Sequence, residues 1–306
     1  MNFSLGALKD KEDLRDFKAE PILAAAAPVD WDYGAGLIEP FDENQDGSSS
    51  CTAQAWSYYF WQLTRNDYTR RDLYARIFVP PVGGAYIRDG GLKLVNEGIT
   101  TRNEVADPVP QTETEMRTTT GTPQQRASDL ALNSFLIDTQ NIDTVAAAIR
   151  DYKGVVFGLY LKSDYSLDPD NLEPPATVTN LGHALYLFDY HLHNGVKCTI
   201  AKSSWCGLIN TPNGQERHHI HHIKENYYSS GMTFNPWTLI PKENQIMIEF
   251  VKNESKPGEY GLLVTSSVGT QYIPASNEVD LKARFPQVPL KPNGSVDFAL
   301  ARKISL

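Results

Sequence analysis

The chain has 306 residues, 41% hydrophobic and 21% charged, which is the balance of a globular protein and not of a disordered one. Its 28 Lys and Arg against 37 Asp and Glu leave a formal net charge of −9, which repels phosphate backbones and sets nucleic acid aside as a main partner. No stretch approaches the ~20 apolar residues that span a bilayer, and three cysteines (Cys51, Cys198, Cys206) make no disulfide framework, so a core must hold the fold, as suits a reducing compartment.

Residues 1–27 read as an arm, charged from Lys9 to Glu20 and then alanine-rich. The run Ile22 to Val29 is short and follows Lys18, Glu20 and Pro21. It does not read as a secretory signal, and a cytoplasmic location is the expectation. Trp31 opens the first globular segment, and Glu39 to Ser50 is rich in turn residues. From Ser48 to Thr64 there is no charged residue, and Ala53, Trp56, Phe60 and Leu63 recur at helical spacing. A helix without charge on any face is a buried helix. Ser49 or Ser50 is its expected N-cap, which puts Cys51 in the first turn.

A weaker helical segment is expected over residues 85–96, interrupted at Gly90-Gly91, and residues 102–128 read as a surface loop. Ile142, Val145, Ala146, Ile149 and Tyr152 predict a helix over 141–152, closed by Gly154. The period then switches to that of strands: 155–161, 183–191 and 196–205, with a loop over 162–180 and the Asn194-Gly195 hairpin signal between the last two strands. Phe234 to Pro241 reads as the end of this segment. Residues 242–306 are expected to form a small β-rich extension, with strands in 245–251, 260–266 and 271–273 and a short helix over 278–285. Helices first and strands second argue an α+β fold with two unlike halves.

Cys51 has features that favour a thiolate: a helix N-terminus and a glycine- and serine-rich turn before it. The segment Asn44-Gln45-Asp46-Gly47-Ser48-Ser49-Ser50-Cys51 resembles the active-site segment of papain-like cysteine peptidases, with Gln45 six residues before the cysteine. Val29-Asp30-Trp31 resembles the start of the mature domain. Gly182-His183-Ala184 resembles the strand carrying the catalytic histidine, and Lys202-Ser203-Ser204-Trp205-Cys206-Gly207 the segment carrying the orienting asparagine and the tryptophan. Asp13 to Phe17 resembles the short leader of bacterial members. The resemblance spans residues 12–240.

That resemblance implies a papain-like fold, with a helical half around the Cys51 helix, a β-barrel-like half carrying His183, and a cleft between them. It implies a cysteine endopeptidase that hydrolyses polypeptide through a Cys–His thiolate–imidazolium pair and a thioester, without a cofactor. Cys51 would be the nucleophile, His183 its partner, and Gln45 with the Cys51 N–H the oxyanion hole. Trp205 would shield the histidine, and Trp205 and Gly182 would border the substrate. Ser203 stands where the family has its orienting asparagine; a hydroxyl can accept from an imidazole N–H, and Ser203 or Ser204 would serve. Thr52 and Ser48 also depart from secreted members, the latter removing a disulfide position. The domains expected are an arm (1–27) that enters the cleft, a peptidase domain (28–241) and the extension (242–306). The rival readings are a silent homologue acting as a binding or scaffold module, and a transferase using the same Cys–His chemistry. In the run His218-His219-Ile220-His221-His222 a strand would put His219 and His221 on one face, but no cysteine or carboxylate is adjacent, and no metal site is assigned.

Overall fold

The computed structural model describes residues 6–304 except 12, 14–15, 17–28, 82, 119–120, 123–125, 128–130, 138–140, 163–171, 180–181, 212–213, 242–246, 254, 257, 267–268, 276, 285–290, 292, 294 and 299–301. The alanine run at 24–27 and most of the expected 162–180 loop lie outside the described residues.

In chain order the elements are β1 (Ala7–Leu8), α1 (Cys51–Thr64), α2 (Arg70–Ile77), β2 (Ala85–Tyr86), α3 (Ile87–Glu97), β3 (Ile99–Thr100), α4 (Glu113–Met116), β4 (Arg126–Ala127), β5 (Ala131–Leu136) and α5 (Ile142–Tyr152). The strand-rich half follows: β6 (Val155–Tyr160), β7 (Gly182–His193), β8 (Val196–Thr211), β9 (Gly214–Lys224), α6 (Glu225–Ser229) and β10 (Thr233–Pro241). Last come β11 (Met247–Asn253), β12 (Tyr260–Ser266), β13 (Gly269–Ala275), α7 (Glu278–Arg284) and β14 (Arg302–Ile304).

One antiparallel sheet of order β5-β10-β6-β7-β8-β9 organises the fold. Strand β7 shows how it divides the core. Ala184, Tyr186 and Phe188 join α1, α3 and Trp237 in one cluster, while Leu185 and Leu187 join α5, Trp205 and Ile223 in another. Period-two alternation thus puts successive side chains into opposite layers. Helix α1 is buried along nearly its whole length, as its lack of charge requires. Asn194 and Gly195 both have positive φ, the geometry of a two-residue hairpin turn.

Two expectations change. Gly90-Gly91 does not interrupt the helix over 87–97. A Cβ on Gly90 would lie 2.3 Å from the Trp56 ring, so the glycines let α3 pack face-on against α1. Residues 102–128 are not a plain surface loop: Val105, Asp107, Gln111 and Met116 are buried, and Asp107 accepts from Arg70, Thr69 and the Arg71 N–H. Phe234 to Pro241 is the last strand of the six-stranded sheet in chain order, β10, and lies inside it between β5 and β6. Its register shifts between Phe234 and Trp237, which places Pro236 in a bulge where no ladder N–H is needed. Beyond it, β13-β12-β11-β14 form a four-stranded sheet, and among the described residues none of its strands pairs with the six-stranded one.

Candidate active site

Cys51 is the first residue of α1 and is fully buried. Ser50 is the N-cap residue, but its hydroxyl contacts Ser48 (2.7 Å) and Gln54 (3.1 Å) instead of capping the backbone. The backbone N–H groups of Ala184, Gly6 and Thr52 face the thiol and favour its anion, but burial outweighs them and pushes Cys51 up to about 11. Because Ala184 follows His183 on β7, that contact sets the nucleophile candidate beside the histidine strand.

His183 is held by β8 at one edge and on one ring face. Its Nε2 is 3.0 Å from Ser203 Oγ, and the Trp205 indole stacks on it with centroids 4.3 Å apart and planes 13° from parallel. Ser203 Oγ also accepts the Trp205 N–H at 3.0 Å. One acceptor position and the hydroxyl hydrogen then remain for the imidazole, so Ser203 can serve either tautomer. An asparagine oxygen, acceptor only, would fix the proton on Nε2. Burial first, and then the charge of His221, holds His183 down at about 3. Burial thus disfavours the charged form of both Cys51 and His183 in this arrangement, because neither reaches water to solvate a charge.

Gln45 reaches this site from the turn before α1. Its Nε2 donates to Ser48 O (2.7 Å), its Oε1 accepts from Ser204 Oγ (2.6 Å), and its backbone N–H donates to Ser204 O (3.1 Å). Adjacent serines of one strand thus divide the work by alternation, Ser203 holding His183 and Ser204 holding Gln45. The preceding Lys202, its side chain buried, anchors the same loop through Glu39 (2.8 Å) and Asp42 (2.5 Å).

A strand of the N-terminal arm crosses the site. β1 pairs with β2 in parallel, and Gly6 O accepts from the Ala85 N–H at 2.7 Å. Three glycines make room for this backbone. A Cβ on Gly6 would lie 1.9 Å from Ser49 O and 3.1 Å from Cys51 Sγ; one on Gly84 would lie 2.3 Å from Gly6 O; one on Gly182 would lie 2.3 Å from Ala7 O. Further along the arm Asp10 is buried, accepting from Trp237 Nε1 (2.8 Å), while its N–H donates to Asn235 Oδ1 (2.8 Å). Arg88 binds Asp16 (3.0 Å).

No family model matches the chain, and no curated protein matches it. Solved structures do. Xylellain, a cysteine protease from Xylella fastidiosa, superposes with a TM-score of 0.61 at 19% identity, over 78% of this chain and 96% of that one. Digestive procathepsin L2 from Tenebrio molitor gives 0.59 at 15%, over 78% of each chain. Bromelain from Ananas comosus gives 0.54 at 13%, over 69% of this chain and 99% of its own. The fold is papain-like.

Within this papain-like frame the contacts above bring Cys51, His183, Gln45, Ser203, Trp205 and Gly182 into one region. Sequence reasoning missed Ser204 as the partner of Gln45, and Gly6 and Gly84 as walls for a passing backbone. It also missed the buried β9 pair: His219 Nδ1 lies 3.0 Å from Ser203 O, and His221 acts on His183. These two line the histidine pocket, and the His-x-His spacing on one strand face was the signal that could have placed them there. Cys198 is a buried free thiol; the side chain of Cys206 lies outside the described residues.

Proposed function

We propose that this protein is a papain-type cysteine peptidase held latent by its own N-terminal arm. The observation that carries the reading is the clamped imidazole, with Ser203 on Nε2 and Trp205 on its face, on the strand whose next N–H meets the thiol at the start of α1. With the arm withdrawn, water and the helix dipole favour the Cys51 thiolate, and His183 takes the proton. The thiolate adds to a substrate carbonyl. The oxyanion accepts from the Cys51 N–H and from a Gln45 amide N–H, Gln45 being pre-oriented by Ser204 and Ser48. His183 gives its proton to the leaving amine, and water then hydrolyses the thioester, with the imidazole acting as base.

The substrate class proposed is an extended polypeptide. The Gly84 and Gly182 walls accept a bare backbone in pairing geometry, as they accept residues 6–8. Deleting residues 1–27 should release activity on a mixed peptide library, and the same deletion carrying Cys51→Ala should show none. Cleavage that survives Cys51→Ala would overturn the reading. Folded, arm-free protein with no cleavage would favour the silent binding module.

A further inference from the structure

Outside the Cys51 site, a second histidine group lies around the β7–β8 hairpin. His191 and His193 are two residues apart near the end of β7 and so share a face; His222 comes from β9, on the far side of β8. Alternation on β9 turns His222 away from the face that His219 and His221 present to Ser203 and His183. The rings meet over β8, with centroids 4.5 Å (His193–His222), 5.1 Å (His191–His222) and 6.0 Å (His191–His193) apart. One ring nitrogen of each lies within 4.8 Å of the other two, and all three side chains are half-buried.

We propose that His191, His193 and His222 form a binding site for a first-row divalent cation of the zinc class, with water completing a tetrahedral shell. Three imidazoles this close would repel if protonated, and the neutral ring is the form that ligates a metal. Zn–N bonds of about 2.0–2.1 Å put ligand nitrogens roughly 3.4 Å apart, a contraction that small χ rotations of half-buried rings supply. Cys198, the β8 partner of His191, is buried and does not belong to the donor group. The donor set is therefore all-nitrogen, which suits zinc, cobalt, nickel and copper over magnesium or calcium. A cation here ties β7 to β9 across β8, and so braces the three strands that carry His183, Ser203 and the His219–His221 pair.

The test uses full-length, tag-free, metal-stripped protein carrying Cys51→Ala, which removes that thiol as a rival ligand. Zinc is titrated against a chromophoric chelator, and the melting temperature is read with and without zinc. The expected result is one equivalent bound and a rise in melting temperature. His193→Asn and His222→Asn should each weaken binding at least about tenfold and abolish the rise. Cobalt added to the parent protein, which needs no histidine variant to fold, should give the visible bands of a four-coordinate nitrogen site without a thiolate charge-transfer band. Undiminished binding in both histidine variants, a thiolate band, or a Kd weaker than about 100 µM would overturn the proposal.

Discussion

A side chain at residue 6 should unseat the arm. A Cβ there would lie 1.9 Å from Ser49 O, where real Cβ contacts essentially never fall under 3.0 Å, and the obstacle is backbone. In Gly6→Val the segment must therefore lift by more than an ångström. The lift breaks the Gly6 O to Ala85 N–H bond and the β1–β2 pairing, and it removes the Gly6 N–H from the thiol. With net values of about 0.5–1.5 kcal/mol per hydrogen bond, the docked arm loses about 1–3 kcal/mol. The exposed fraction of Cys51 should rise roughly 5- to 150-fold. Asp10 and Asp16 keep their anchors, so the arm opens locally and is not shed. The assay is the iodoacetamide rate at Cys51, read by mass spectrometry, beside initial hydrolysis of a small peptide. Lys9→Val, at an exposed arm position, is the control and should match the parent. A Gly6→Val rate equal to that of the parent, in protein with an unchanged melting curve, would refute the blocked-thiol reasoning.

In the arm-free protein Ser203→Ala should lower kcat roughly 10- to 150-fold with little change in KM, since it removes a bond of about 1.5–3 kcal/mol to a ring that becomes charged. An unchanged kcat would pass the orienting role to another group. Arm docking should weaken as pH rises. Docked Asp10 is raised from 3.8 to about 6, chiefly by burial and also by Asp89, against the Trp237 and Arg88 N–H bonds and the Arg88 charge. The docked arm therefore holds that proton more tightly than the released arm. Protection of Cys51 should be greatest below about pH 4, fall between 4 and 6, and level off above. The ratio of arm-free to intact alkylation rates measures it, and Asp10→Asn should flatten the profile; a ratio falling toward acid would contradict the sign. Truncation after Pro241 should lower the melting temperature, because about 65 residues without a disulfide make a marginal independent unit. An unchanged melting temperature, with the excised piece folding alone, would mark it as a separate module.

What was legible in the sequence is what local chemistry carries. The charge-free run from Ser48 to Thr64 announced α1, the Asn194-Gly195 pair announced the hairpin, and the Gln45, Cys51, His183 and Trp205 blocks named residues that the fold brings together. What was not legible depends on partners remote in sequence. Pro236 and Pro241 argue against a central strand until the bulge at 235–236 and the β5 partner at 131–136 are seen. No element was expected at α2, whose Arg70 is buried because Asp107, Asp67 and Glu43 converge on it. Gly90-Gly91 reads as a break until Trp56 is placed against it. The helix start at Cys51 was located from the sequence, but its burial and the backbone of Gly6 beside it, 45 residues upstream, have no local pattern that relates them to it.

The central claim is that Cys51 and His183 act as one nucleophilic unit once the arm is gone. A thiol-directed peptidyl inhibitor, applied to the arm-free protein near neutral pH and followed by intact mass and peptide mapping, tests it most directly. The account predicts a single adduct, on Cys51, formed faster than on an unstructured thiol, slowed strongly in His183→Ala and absent in Cys51→Ala. An adduct at Cys198 instead, or labelling of Cys51 at the same rate with and without His183, would contradict it.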